Sequence, residues 1–376
     1  MDIDKVRNLS DAGRFDLACE CTTKEARQKY TEDAIQQATL GGIYTSHITD
    51  GRTVKLFKTL MSNSCTHDCN YCQNSTTCTK QQKRSMYTPD ELAKVFMHLV
   101  KNHEIEGLFI SSGIVKDADY TTEKMIEAVK IVRHRYRFRG YIHFKVLPGV
   151  SYDKIKEARQ YATRLSINIE ATSEQRINEF TSIKTFKSDI LKRQAWIKRL
   201  SPPSGQSTQL VVGAAGETDW EVLKMMRWEY ENMDLYRMYY SPFNPLHNTP
   251  FKDKSPAPKW RSHRLYNVDW LFRKYKYDFK ELKELINDND MLPNQDPKIT
   301  HAKLFLDKPV DVKEAGYNEL IKVPGIGLKT AKRIVASRKG FPTLKRRHLH
   351  EMGTILKRAD PFIKVDGWTQ RTLRAF

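Results

Sequence analysis

The stretch Asn63 to Ser75, NSCTHDCNYCQNS, places Cys65, Cys69 and Cys72 within eight residues at the spacing C-x3-C-x2-C. Six cysteines in 376 residues, three of them crowded together, argue against a secreted disulfide framework and for metal or redox use in a reducing compartment. Two metal chemistries compete. Structural zinc closes a tetrahedron with four Cys or His ligands, commonly in paired C-x2-C knuckles. Only Cys69 and Cys72 form such a pair; His67, between two cysteines, would strain the loop as a ligand, and Cys78 stands at an unusual distance. An iron–sulfur cubane held by three thiolates leaves its fourth iron open to an outside ligand, so the missing thiol becomes the mechanism. The spacing matches neither the bacterial ferredoxin run nor a zinc knuckle.

Read with Tyr71 as the aromatic, C-x3-C-x-aromatic-C resembles the signature of the radical S-adenosylmethionine (SAM) enzymes. The resemblance implies a 4Fe–4S cluster on Cys65, Cys69 and Cys72, with Tyr71 beside it. It implies SAM chelating the open iron, one-electron cleavage to a 5′-deoxyadenosyl radical, and an electron donor such as flavodoxin or ferredoxin. The cofactor then carries the hard chemistry and the protein aims it.

Strand-like runs recur at barrel spacing over 53–61, 107–113, 141–149, 164–171, 208–217 and 235–243. Helical patterns such as Pro89 to Asn102 and Thr122 to Tyr136 lie between them. Six β/α units predict an α/β fold, a partial (β/α)6 barrel with its functional groups at the C-terminal strand ends. The cysteine loop follows the first of these strands, as it does in the family. The resemblance assigns Ser111, Ser112 and Gly113 to the methionine end of SAM. It assigns Ser166, Asn168 and Glu170, which alternate on one face of a strand, to ribose and carboxylate contacts, and Gly213 to Glu217 to the adenine region. Lys145 is a further cofactor-binding candidate, and Cys78, Tyr239 and Tyr240 are candidates for catalysis.

The charge points to an acidic partner: 64 Lys and Arg against 45 Asp and Glu give +19. Residues 301–376 hold 17 basic and 7 acidic residues, a net +10. Within them ELIKVPGIGLKTAKRIVASR, Glu319 to Arg338, resembles a helix-hairpin-helix, a module that binds the DNA backbone. Glycines let the backbone approach a phosphate, and a helix N-terminus and lysines complete such a site. The residues implied are Lys322, Gly325, Gly327, Lys329, Thr330, Lys332 and Arg333. Across nearly its whole length the chain resembles a family of DNA modification or repair radical SAM proteins linked to a uracil-DNA-glycosylase-like partner. The stretches EGLFISSGIVKDADYT, GYIHFKVLPG, LSINIEATSE and GQSTQLVVGA carry that likeness.

Four segments are therefore expected. They are an N-terminal helical extension (1–50), the partial barrel (51–245), a helical connector rich in aromatic residues (246–300) and a small all-α helix-hairpin-helix domain (301–376). DNA is the expected partner, and an RNA or a free nucleoside is the alternative substrate. An iron–sulfur glycosylase of the helix-hairpin-helix type fits less well. Its cysteines would follow the hairpin, and no acidic residue stands between Leu328 and His350 to act as its general base. Cys19 and Cys21 with Cys78 make an incomplete second cluster set. No stretch of about 18 apolar residues and no secretory leader pattern is present, which predicts a cytoplasmic protein.

Overall fold

The computed structural model describes residues 1–14, 33–47, 53–78, 83–341 and 343–369; Cys19 and Cys21 lie outside the described residues. Two compact units divide the chain: Met1–Glu217 with Lys224–Pro258, and Thr218–Leu223 with Lys259–Phe376.

In the first unit α1 (Ile3–Arg14) and α2 (Ala34–Thr39) precede β1 (Ile43–His47) and β2 (Thr53–Leu60). Helix and strand then alternate through α3 (Pro89–Lys101), β3 (Gly107–Ser111), α4 (Ala118–His134), β4 (Tyr141–Lys145), α5 (Tyr152–Tyr161) and β5 (Arg164–Ser166). After them come α6 (Glu174–Asn178), a π-helical turn (Phe186–Leu191) running into α7 (Lys192–Leu200), β6 (Gln206–Val212), α8 (Asp219–Asn232), whose residues up to Leu223 are assigned to the second unit, and β7 (Leu235–Pro242). The sequence starts these helices where side chains can cap them. Thr88 accepts from the Glu91 amide at 3.2 Å while the Glu91 carboxylate accepts from the Thr88 amide at 2.8 Å, a capping box ahead of α3. Asp117 caps α4 by accepting from the Tyr120 amide at 2.7 Å.

The strands form one sheet in the order β1 to β7; β1 runs antiparallel to β2 and the other pairs are parallel. Each parallel crossover steps one strand in the same direction, so right-handed connections put the helices on a single face and the sheet curls into a half-barrel. Residues such as Phe57, Leu108, Ile110, Phe144, Leu165, Leu210, Met238 and Tyr240 are fully or almost fully buried on that helix-covered face. Their neighbours in sequence point to the concave side.

The six parallel strands agree with the α/β half-barrel expected from sequence. Two details differ. The segment read as a helical extension also supplies β1, and β5 ends at Ser166, well short of the run to residue 171. Its polar residues leave the ladder early, and Glu170 takes φ +62°.

The second unit holds α9 (Lys259–Arg273), α10 (Phe279–Lys283), α11 (Pro297–Phe305), β8 (Val310–Asp311), α12 (Tyr317–Leu320) and α13 (Leu328–Ser337). It continues with α14 (Arg346–Glu351), α15 (Leu356–Ala359), β9 (Ile363–Val365) and β10 (Trp368–Thr369). β9 pairs β10 antiparallel and β8 parallel, so the region expected to be all-α carries a small sheet. Strands of two or three residues leave no alternation for sequence reasoning to detect. Leu320, Val323, Ile334, Leu349 and Ile363 form the buried centre of this region. Trp220 stacks on Phe279 with centroids 5.1 Å apart, and Asp219 pairs with Arg261 at 2.7 Å, both partners buried. No helix among the described residues is long and apolar enough to cross a membrane.

Candidate active site

The cysteine loop leaves the C-terminal end of β2 and is braced against the end of β3. The Gly113 amide donates to the Ser62 carbonyl at 2.7 Å, and the Thr66 amide to the Ile114 carbonyl at 2.8 Å. The Ser62 amide donates to Ser112 Oγ at 3.1 Å. Only glycine fits at 113, because a Cβ there would stand 2.3 Å from the Ser64 carbonyl oxygen and 3.1 Å from Cys65 Cβ. The Ser111-Ser112-Gly113 turn and the cysteines are thus brought together, with Ser111 buried.

Cys65, Cys69, Cys72 and Cys78 are all free thiols. Amides point at two of the sulfurs: Ile114 N–H to Cys65 Sγ and Asn74 N–H to Cys72 Sγ, each at 3.4 Å. Such N–H···S bonds suit sulfurs that carry negative charge when bound to iron. Burial pushes the Cys69 and Cys72 thiols upward, and the charge each would feel from the other cysteines adds to the effect at Cys72. Metal binding supplies what deprotonation costs here. Among the described residues no three His, Cys, Asp or Glu side chains converge on a single ion position. A cubane asks instead for one thiolate on each of three irons.

A residue that sequence reasoning missed completes the centre. Lys184 is buried, with Cys69, Glu170 and Cys65 within electrostatic reach. Burial alone would discharge it; these partners overrule burial and hold it protonated. Asp68, inside the cysteine loop, brings it there. Its carboxylate accepts from Thr181 Oγ1, from the Ser182 amide at 2.9 Å and from Ser182 Oγ at 2.6 Å, pinning the segment that carries Lys184. Burial opposes that carboxylate's charge, yet the Ser182 and Thr181 hydrogen bonds hold its pKa down to about 2. Burial, then Lys184, lowers His67 to about 4, so its ring is neutral, with a buried Nδ1 that has no hydrogen-bond partner. The signal in sequence was an acidic residue between two cysteines, which asks for a partner segment but does not say which.

Glu170 reaches the same place. Tyr71 packs edge-on against Phe180 at 5.3 Å, and burial, then the neighbouring Glu170, pushes its phenol well up. Ser166 and Asn168 are buried nearby on the chain, and Ser166 Oγ is 2.8 Å from His143 Nε2. Glu217 is committed to its own turn: its carboxylate accepts from the Gly213 amide and, at 3.3 Å, from the Ala215 amide, with Gly213 at φ +92°. Lys145 and Tyr239 stand half-buried on the concave face. Tyr240 faces the helices and is fully buried, because adjacent strand residues point opposite ways. Cys78 Sγ donates to the Cys72 carbonyl at 3.2 Å, outside the thiol triad.

In the second unit α12 and α13 flank a turn in which Gly325 has φ +84° and Gly327 caps α13. Lys329, Lys332 and Arg333 are exposed; Lys322 pairs with Glu281 at 3.1 Å, and buried Thr330 donates to the Gly353 carbonyl at 3.2 Å. Tyr275 packs against the buried centre of this region. A second glycine turn, unnoticed in sequence, lies at Gly353 with φ +98°. It joins α14 to α15, and the Ile355 amide beyond it donates to the Gly325 carbonyl at 2.9 Å. The sequences PGIGLKTA (324–331) and MGTILKRA (352–359) share their first glycine, the Leu-Lys pair and the final alanine, which was the available signal.

Residues 59–228 match the radical SAM superfamily, the region that holds the cysteine loop and strands β3 to β6. The chain carries a domain of that superfamily, and its cofactors are a 4Fe–4S cluster and SAM. The thiol triad with its N–H···S bonds and the Gly113 cradle fits the cluster. Among solved structures, methylornithine synthase (PylB) is similar at 16% identity and TM-score 0.44, covering 54% of this chain and 58% of that one. The FeFe-hydrogenase maturase HydG from Carboxydothermus hydrogenoformans is similar at 13% and 0.45, covering 56% and 49%. The cobalamin-dependent SAM radical enzyme OxsB is similar at 11% and 0.36, covering 82% and 51%. In each case the chain spans less than two thirds of the other protein's length. No curated protein matches the chain.

Proposed function

We propose that the protein is a radical SAM enzyme that modifies or repairs a nucleotide base in DNA. In this reading Cys65, Cys69 and Cys72 hold three irons. Lys184 and Glu170, of opposite charge beside Cys69, orient the charged groups of SAM, and the Ser111-Ser112-Gly113 turn backs them. When bound and reduced by one electron, cluster and SAM together supply a 5′-deoxyadenosyl radical. The chain's own part is to hold the target close and dry.

The observation that carries the DNA reading is the Gly325 turn at φ +84°, set before a helix whose first turns present Lys329, Lys332 and Arg333 to solvent. Such a turn lets backbone approach a phosphate and supplies charge without reading sequence. A base within a duplex must be flipped or single-stranded to reach the half-barrel, which favours lesions that extrude cheaply. An electron donor such as flavodoxin or ferredoxin and a uracil-DNA-glycosylase-like partner belong to the same reading.

The test is to incubate the reduced, reconstituted protein with DNA deuterated in its bases or in its sugars and to follow deuterium into 5′-deoxyadenosine by mass spectrometry. Transfer from base positions is expected. Transfer from RNA or a free nucleoside and from no DNA overturns the proposal, as does retention of the full cluster by the Cys65→Ala, Cys69→Ala and Cys72→Ala variants.

A further inference from the structure

We propose that Arg84 is a positioning residue for the cluster, tying the two ends of the cysteine loop together so that Cys65, Cys69 and Cys72 stand where three irons can reach them. The tie serves the cluster whatever the substrate, and so goes beyond the DNA reading above. Both ends of the stretch Asn63 to Ser75 fasten to this one side chain. Arg84 Nη1 donates to the Asn63 carbonyl at 2.5 Å and to the Asn74 carbonyl at 3.2 Å, while Nη2 donates to the Ser75 carbonyl at 3.1 Å. Asn63 stands two residues before Cys65 and Asn74 two residues after Cys72, so the three thiols lie between the points that the guanidinium holds. The held peptides also shape the loop. The Ser75 amide donates to the Cys72 carbonyl at 3.1 Å, and the Asn74 amide points at Cys72 Sγ.

The backbone that carries Arg84 is itself fixed on both sides. Asn63 is fully buried; its side chain donates to the Lys83 carbonyl at 3.0 Å and accepts from the Ser85 amide at 2.7 Å. The Asn63 amide and Ser62 Oγ both donate to the Ser85 carbonyl, at 3.2 and 3.0 Å. From α1, Asn8 Nδ2 donates to the Lys83 carbonyl at 2.5 Å and to Ser85 Oγ at 3.1 Å, and the Val6 carbonyl accepts from the Tyr87 hydroxyl at 3.4 Å. The first helix of the chain therefore braces the arginine, and the arginine braces the loop.

The residue type matters. A guanidinium presents five donors in a rigid plane and can hold carbonyls from two separate stretches of chain at once, whereas the three donors of a lysine diverge from one nitrogen. Bonds from a charged donor are also stronger than those between neutral groups. With its ends tied, the loop has fewer arrangements to lose when iron binds, which is preorganisation of the ligand set. Arg133 is a matched comparison. It is half-buried like Arg84, and its guanidinium donates to the carbonyls of Tyr161 at 2.9 Å and of Phe138 and Gly140 at 2.8 Å. Those carbonyls lie at the start of β4 and the end of α5, at the opposite ends of the strands from the cysteine loop.

The experiment compares Arg84→Met, Arg84→Lys and Arg133→Met with the parent, each as the full chain reconstituted anaerobically. It measures the rate at which a chelator strips the cluster, the electron paramagnetic resonance signal with and without SAM, and urea unfolding of the iron-free protein. Replacing a group that supports metal ligands typically costs about 10- to 100-fold in metal affinity. Arg84→Met is expected to lose its cluster faster by about that factor, and the clusters that remain should give an altered signal and a weaker response to SAM. Arg84→Lys keeps the charge and can hold one end of the loop, so it should fall between Arg84→Met and the parent. Arg133→Met should lower the urea midpoint yet lose its cluster at the parent's rate. If Arg84→Met shows no cooperative unfolding, Arg84→Lys carries the comparison. Cluster loss at the parent's rate in Arg84→Lys, or an equal acceleration in Arg133→Met, overturns the proposal. So do a parent-like signal and SAM response in the clusters that Arg84→Met retains, which would leave Arg84 a staple of the fold alone. None of these measurements contains DNA, so failure here and failure of the proposed function are seen separately.

Discussion

Substituting Gly113 by alanine perturbs the cysteine loop with a single methyl group. The new Cβ would stand 2.3 Å from the Ser64 carbonyl oxygen, whereas even close C···O contacts run at about 3.3 to 3.6 Å. The end of β3 and the loop must therefore separate by about 1 Å. That displacement strains the Gly113 to Ser62 bond (2.7 Å), the Thr66 to Ile114 bond (2.8 Å) and the Ile114 to Cys65 Sγ bond (3.4 Å). At about 1 kcal/mol each, the loss is about 2 to 3 kcal/mol of docking free energy. It corresponds to roughly a 30- to 150-fold drop in the population with all three thiols in place. Iron and sulfide per chain, the rate of cluster loss to a chelator, and the electron paramagnetic resonance spectrum with and without SAM report on that population. We expect a cluster lost about tens of times faster and a SAM Kd raised by about tenfold or more. Gly340→Ala, where an added methyl meets nothing within 4 Å, is the control and should behave as the parent. Full iron content, an unchanged spectrum and an unchanged SAM Kd in Gly113→Ala would refute the cradle argument.

Lys184→Met should weaken SAM binding by about tenfold, or ~1.4 kcal/mol, and lower the cluster's reduction potential, since the reduced cluster loses a neighbouring cation; an unmoved potential in a redox titration counts against it. Burial raises the Glu229 pKa from 4.5 to about 8 in the folded protein, against a hydrogen bond from Gln194 that favours the charge. The stability that its proton confers is present below pH 4.5 and is lost as pH rises through 8. Glu229→Gln should therefore leave stability near the parent's at pH 4 and add on the order of 3 kcal/mol at pH 8.5, read by urea unfolding at the two pH values; equal differences at both would contradict the linkage. Lys329→Ala with Lys332→Ala should reduce duplex affinity and flatten its dependence on salt by about two phosphate contacts, with DNA-independent SAM cleavage intact; an unchanged salt slope would place the contact elsewhere.

The cysteine loop and the alternating elements were legible because both are local: ligand spacing lies in eight residues, and the burial period of each strand and helix lies in its own sequence. Tyr239 and Tyr240 were both read as catalytic candidates, although neighbours on one strand face opposite ways and the fully buried Tyr240 turns from the concave face. Lys184 was not legible, because it comes from an irregular segment drawn in by Asp68, and a hydrogen bond between distant loops leaves no periodic trace. Glu170 was assigned to a strand that ends four residues earlier. Its place beside Lys184 and Tyr71 depends on a left-handed backbone that the residue type does not announce. In the second unit the PGIG turn was visible while its companion at Gly353 was not, since Met and Thr flank that glycine where Pro and Ile flank Gly325. The strands β8 to β10 are too short to show any period.

Among the described residues the half-barrel has two margins, β1 and β7, which no further strand joins. Closing the ring would make a well, and a well admits only what can be lowered into it end first: a metabolite, a peptide tail, a loose terminus. The unclosed sheet is a trough. A polymer may be laid across a trough with chain running away on both sides of the residue at its bottom, and lifted out again without being threaded. The antiparallel turn of β1 keeps the trough open, because a strand of reversed direction cannot take the βα crossover by which a parallel barrel continues. Under the proposed function, a sheet built in this way would let an internal unit of a strand reach the cluster as well as a free nucleotide does.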